Sequence, residues 1–121
     1  MVESSIRRSH NLPDIPAWFP HIVESDGVAW LKAHGGASDR TLFLCWPRDE
    51  FGDEVLGAYT GDTVVWVGEY AGGCTFSLCN SEEADQCSVH AHEWKPVRRV
   101  PLPNWTGIHD QMVVYKRIVT D

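Results

Sequence analysis

From Asp26 onward the apolar positions fall into short blocks separated by glycine, proline and acidic residues. Val28 and Leu31, with Trp30, give a first short helix an apolar side, Asp26 stands where an N-cap belongs, and Gly35-Gly36 stops it. The stretch "TLFLCW" (41–46) is then a continuous apolar run, the mark of a strand buried on both faces. Pro47 ends that strand, and Asp49 or Asp53 can cap a second helix whose Val55, Leu56 and Tyr59 precede Gly61 as a stop. "DTVVWVGEY" (62–70) repeats the buried-strand design. Two such strands around a helix of this length make a βαβ unit, which requires a parallel sheet and a right-handed crossover.

The remaining segments have other patterns. Asn80 and Glu83 resemble a capping box, so a modest helix is expected over 84–92. "WKPVRRVPLP" (94–103) and "QMVVYKRIVT" (111–120) are β-rich and joined by "NWTGIHD", short enough to pair them as an antiparallel hairpin, with Pro96 and Pro101 favouring an edge position for the first. Residues 1–25 contain Pro13, Pro16 and Pro20 and no sustained period, which reads as an extended arm lying on something else. The expected order is arm, α, β, α, β, α, β, β, with 26–121 as a single α/β domain.

Composition narrows the partners. The chain has 121 residues, enough for one core, and its 43% hydrophobic content with six Trp excludes a wholly disordered chain. A net charge of −7, with only Arg7-Arg8 and Arg98-Arg99 as basic pairs, argues against a nucleic-acid partner, because phosphate binding needs a dense Lys/Arg surface. No stretch approaches the length of a membrane span, and "MVESSIRRSH" lacks the apolar core of a secretory signal. A cytoplasmic protein without membrane contact is expected, and Cys45, Cys74, Cys79 and Cys87 are expected as free thiols.

Taken in order, "TLFLCWP", "GDTVVWVGEYAGGCT" and "EWKPVRRVPLPNWTGIHDQMVVYKR" resemble the second half of a family of S-adenosylmethionine-dependent methyltransferase-like proteins, over roughly 41–118. The resemblance implies a partial Rossmann-like sheet with helices on both faces, in which these strands are the fourth to seventh and the reversed last strand lies inside the sheet. Such enzymes hold their cofactor with a glycine-rich turn after the first strand and an acidic residue after the second. Residues 1–40 contain no strand–glycine–helix unit, and Arg48 replaces the second proline of the family's Trp-Pro-Pro strand end. The cofactor half is therefore expected to be absent, with S-adenosylmethionine bound only if another chain completes the site.

In an open α/β sheet, ligands bind outside the carboxyl ends of the strands, which gathers Cys45, Trp46, Pro47, Glu69, Tyr70, His109 and Asp110 at one rim as pocket candidates. His109 with Asp110 and Glu69 could supply a general base. The other reading of "GIHD" is turn chemistry, with Gly107 in an unusual backbone angle and Asp110 accepting backbone N–H groups. Cys87, His90 and His92, with Cys74 and Cys79, are zinc-type ligands, but C-x₂-H-x-H matches no usual finger and no metal is assigned.

A half-sheet also leaves the strand at 41–46 without the neighbour it would have in a complete fold, so the Pro-rich arm, a second copy of the chain or another subunit must cover that edge. Three functional readings follow. The first is a reduced methyltransferase-like scaffold or binding module, as a homo-oligomer or with a protein partner. The second is a split methyltransferase completed by another chain, and the third a small-molecule or metal-binding protein.

Overall fold

The computed structural model of the chain describes residues 2–3, 23–69, 75–78 and 87–119. The described elements are β1 (Val2–Glu3), β2 (Val23–Glu24), α1 (Gly27–Ala33), β3 (Leu42–Cys45), α2 (Asp49–Ala58), β4 (Thr63–Glu69), a 3₁₀ turn at Ala91–Glu93, β5 (Trp94–Pro101) and β6 (Asp110–Arg117). Among these residues, β1 and β2 form a short parallel ladder, and the other four strands form one mixed sheet in the order β3-β4-β6-β5. The fold is thus α/β. The rest of the arm, including Trp18 and Phe19, lies outside the described residues.

The first helix forms as its caps dictate. Asp26 Oδ1 accepts from the backbone N–H of Ala29 at 2.9 Å, and at the other end Gly36 N donates to Leu31 O at 2.8 Å. That second bond needs the left-handed backbone of the preceding Gly35, at φ +62°. The second helix begins differently from expectation: its N-cap is Arg48, which makes no side-chain cap bond. Asp53, one of the two expected caps, instead accepts from the Ser88 hydroxyl and so ties α2 to the chain that returns after residue 87.

The βαβ unit is present, with β3 and β4 parallel and Leu44 level with Trp66. So is the hairpin: β5 and β6 are antiparallel, and β5 lies at the edge with a bulge between Pro96 and Arg98. β6 runs antiparallel between β4 and β5, so the last strand in the chain is interior to the sheet. The expected helix over 84–92 is not formed where it is described. Residues 87–90 are bend and turn, residues 91–93 are the single 3₁₀ turn, and 84–86 lie outside the described residues.

One cluster forms the core. It joins Val28 and Leu31 of α1, Val55 and Leu56 of α2, Phe76, Leu78 and Trp94 to the sheet positions Leu44, Val64, Trp66, Val113 and Tyr115. These strand positions alternate along β3, β4 and β6, so they lie on one face of the sheet. Both described helices therefore pack on that side, rather than one on each. The strand at 41–46 is accordingly not buried on both faces: Leu44 is 5% exposed, whereas Phe43, pointing to the other face, is 57% exposed. A short apolar run reads the same whether one or two faces are covered, which is why the pattern overstated the burial.

Candidate functional site

At the carboxyl end of β3 the chain makes a sharp departure. Trp46 has φ +51°, a conformation in which a bulky residue needs support from its surroundings. The support is visible on both sides of the residue. Trp46 N donates to Val67 O at 2.8 Å, continuing the ladder, and its indole Nε1 donates to Asp110 Oδ1 at 2.9 Å across 64 positions of sequence. Pro47 is buried, and its carbonyl accepts from Phe76 N at 3.0 Å, which draws the return segment 75–78 against the sheet.

Phe76 and Trp66 lock this segment in place, because Trp66 Nε1 donates to Phe76 O at 3.0 Å. One step further along β4, the backbone N–H of Glu69 donates to Thr75 Oγ1 at 2.9 Å, and that hydroxyl lies 3.2 Å from Glu69 O. Glu69 is 6% exposed and sits directly opposite Asp110 in the β4–β6 ladder. The end of the sheet thus carries two carboxylates side by side, an arrangement that repels when both are ionised.

The structure brings together Cys45, Trp46, Pro47, Glu69 and Asp110 at this rim; His109 is exposed on the loop just before β6, and Tyr70 lies outside the described residues. Among the described residues, the Asp110 carboxylate is engaged by the Trp46 indole, not by His109 or by backbone N–H groups. Gly107 takes φ +81°, and Ile108 N donates to Trp105 O at 3.0 Å, so "WTGI" is a turn of the kind expected from its glycine. Cys45 is a free thiol. Partial burial and, after it, the nearby Asp110 carboxylate push its pKa above the ordinary thiol value, which keeps it protonated and a poor nucleophile near neutral pH. The rim offers an aromatic edge, a protonated thiol and two carboxylates, which suits contact with a polar or cationic group better than nucleophilic attack.

Cys87 corrects the free-thiol expectation, because it is disulfide-bonded, to a partner outside the described residues. The expectation rested on the compartment expected of the chain, but fold geometry decides which sulfurs meet. Ser88 N donates to Ser77 O at 3.0 Å, so the chain on either side of the undescribed stretch comes back alongside itself at Cys87. His90 Nδ1 faces Glu93 Oε2, and among the described residues no group of three or more His, Cys, Asp or Glu could hold a metal ion.

Sequence reasoning missed the residue that ties the opposite end of the sheet together. Arg117 donates through Nη2 to Tyr59 O at 3.0 Å, through Nε to Gly61 O at 2.9 Å and through Nη1 to Glu93 Oε1 at 3.2 Å, and its guanidinium lies 4.4 Å from the centroid of the Trp94 ring. Nothing local marks it, since its partners are 23 to 58 positions away. Among the described residues, no helix is long and apolar enough to cross a membrane. Comparison with protein-family models, with curated proteins and with solved structures finds no match to this chain.

Proposed function

We propose that this chain is a reduced methyltransferase-like domain that acts as a binding or scaffold module and has no cofactor site of its own. The observation that carries the reading is the strand arrangement. A parallel pair, β3 and β4, is followed by a reversed strand, β6, inserted between β4 and the edge strand β5. This is the arrangement expected of the fourth to seventh strands in the family that the sequence resembles. In the complete fold, the nucleotide-holding half would continue from the far side of β3, the side on which no described strand pairs. The chemistry of the rim supports the same reading: the thiol stays protonated, and Asp110 is occupied by an indole rather than by a histidine.

Isothermal titration of the purified chain with S-adenosylmethionine tests it. No heat of binding is expected up to millimolar ligand. Micromolar affinity of the chain alone would overturn the reading, because the site would then have to be complete without a glycine-rich unit.

A further inference from the structure

The strand order decides what lies beneath the Trp46–Asp110 bond. Trp46 follows the end of β3, Asp110 opens β6, and β4 runs between those two strands. The indole must therefore reach across the end of β4, where the residue level with Asp110 is Glu69. Residues directly opposite each other in an antiparallel pair carry their side chains on the same face, with Cβ atoms about 4.5–5.5 Å apart. One corner of the sheet thus gathers an indole and two carboxylates.

Glu69 is the unusual member of this corner. It is 6% exposed, and its backbone is satisfied by Thr75, whose hydroxyl lies within bonding distance of both its N–H and its carbonyl. Its carboxylate, however, has neither a hydrogen-bond nor an ion-pair partner among the described residues. Buried carboxylates ordinarily meet donors, and this one faces a second carboxylate instead. Asp110 gives one oxygen to the indole N–H, so among the described residues its Oδ2 and both oxygens of Glu69 remain as acceptors without a donor. The corner is built to receive a cation.

The surroundings narrow the kind of cation. Calcium wants about six to eight oxygen ligands and magnesium a near-octahedral set, whereas no group of three or more His, Cys, Asp or Glu among the described residues could hold a metal ion. The Trp46 ring is 42% exposed and offers its face to an organic cation. An ammonium is a compact and strongly hydrated point charge. A guanidinium is planar and weakly hydrated, aims two parallel N–H groups at one carboxylate, and stacks on an aromatic face. We propose that Trp46, Glu69 and Asp110 form a binding site for a guanidinium group, that of an arginine side chain. The proposal rests on the reading of the chain as a binding module and names the class of its ligand.

Isothermal titration with the capped peptide acetyl-Gly-Arg-Gly-amide, beside its lysine counterpart and free arginine, tests the site. The arginine peptide is expected to bind with a Kd of about 1 mM or tighter, and the lysine peptide about fivefold more weakly. Glu69→Gln and Asp110→Asn keep the side-chain shapes, and each is expected to weaken the arginine peptide about tenfold. Glu69→Gln also removes one of two like charges, so it is expected to raise Tm by about 1–4 °C while binding is lost. A carboxylate that served only to hold the sheet end together would lower Tm when neutralised. No heat from the arginine peptide up to about 10 mM would overturn the proposal. So would equal affinity for the two peptides, binding indifferent to both substitutions, or a Tm lowered by Glu69→Gln. Tighter binding of the peptide than of free arginine would assign the group to a protein partner, and the reverse order to the free amino acid. Heat from S-adenosylmethionine overturns the scaffold reading, whereas silence from the arginine peptide leaves that reading standing, so the two failures remain separate.

Discussion

Tyr59 places a phenol where three backbone groups converge. Its ring is 3% exposed, and its hydroxyl lies 2.6 Å from Arg40 O, 2.8 Å from Thr63 O and 3.3 Å from Thr63 N. The hydroxyl can donate one hydrogen and accept another, so it links the approach to β3, the end of α2 and the start of β4 with a single atom. Tyr59→Phe keeps the packing and strands these groups, and is expected to cost about 1–2 kcal/mol in urea unfolding. Burial raises the Tyr59 pKa above its ordinary value of 10.0, ahead of the smaller lowering by the backbone at Thr63. The folded state then favours the neutral phenol. This contribution is fully present below pH 10 and is lost as pH climbs past 10 through the folded-state value. Unfolding midpoints followed into that alkaline range should fall more steeply for the native protein than for Tyr59→Phe.

Between elements, the closest fit is that of α2 on the return segment. A Cβ added at Gly52 would come within 2.5 Å of the Phe76 ring, which is itself 3% exposed and has no room to turn aside. Alanine is the better helix former by about 1 kcal/mol, but overpacking at a rigid ring costs about 1–3 kcal/mol, so Gly52→Ala is expected to be net destabilising by about 1 kcal/mol or more, measured by thermal or urea unfolding. This contact also marks where the sequence stops being legible. Asp26 and Gly36 fix the ends of α1 from within a few positions, and the prolines of β5 announce an edge, so those elements could be read directly. Arg48 at the N-cap of α2 could not, because the start of that helix is held by packing of the chain around Pro47 and Phe76 instead of by a capping side chain. The rim was legible as a place, since strand ends gather there in any such sheet. Its bonding was not: the Trp46–Asp110 bond spans 64 positions and depends on a backbone turn at Trp46 that no local signal gives.

At the scale of the whole molecule, the order β3-β4-β6-β5 sets when the sheet can exist at all. β4 pairs with β6 along its whole length, from Thr63 opposite Lys116 to Glu69 opposite Asp110, and β5 has β6 as its neighbour. Arg117, at the end of β6, then reaches back to the end of α2 through Tyr59 O and Gly61 O. A chain cut after His109 would lose the interior strand together with Val113 and Tyr115 of the core, and is expected to lack cooperative unfolding and to be digested rapidly by trypsin under conditions that spare the full chain. The same topology has a consequence for synthesis. A ribosome makes the strands in sequence order, so β3, β4 and β5 leave the exit tunnel before β6, the strand that joins β4 to β5, is free. Trp66 and Trp94 therefore lie on strands that cannot join until β6 has emerged, so closure of the sheet waits on that strand instead of proceeding element by element.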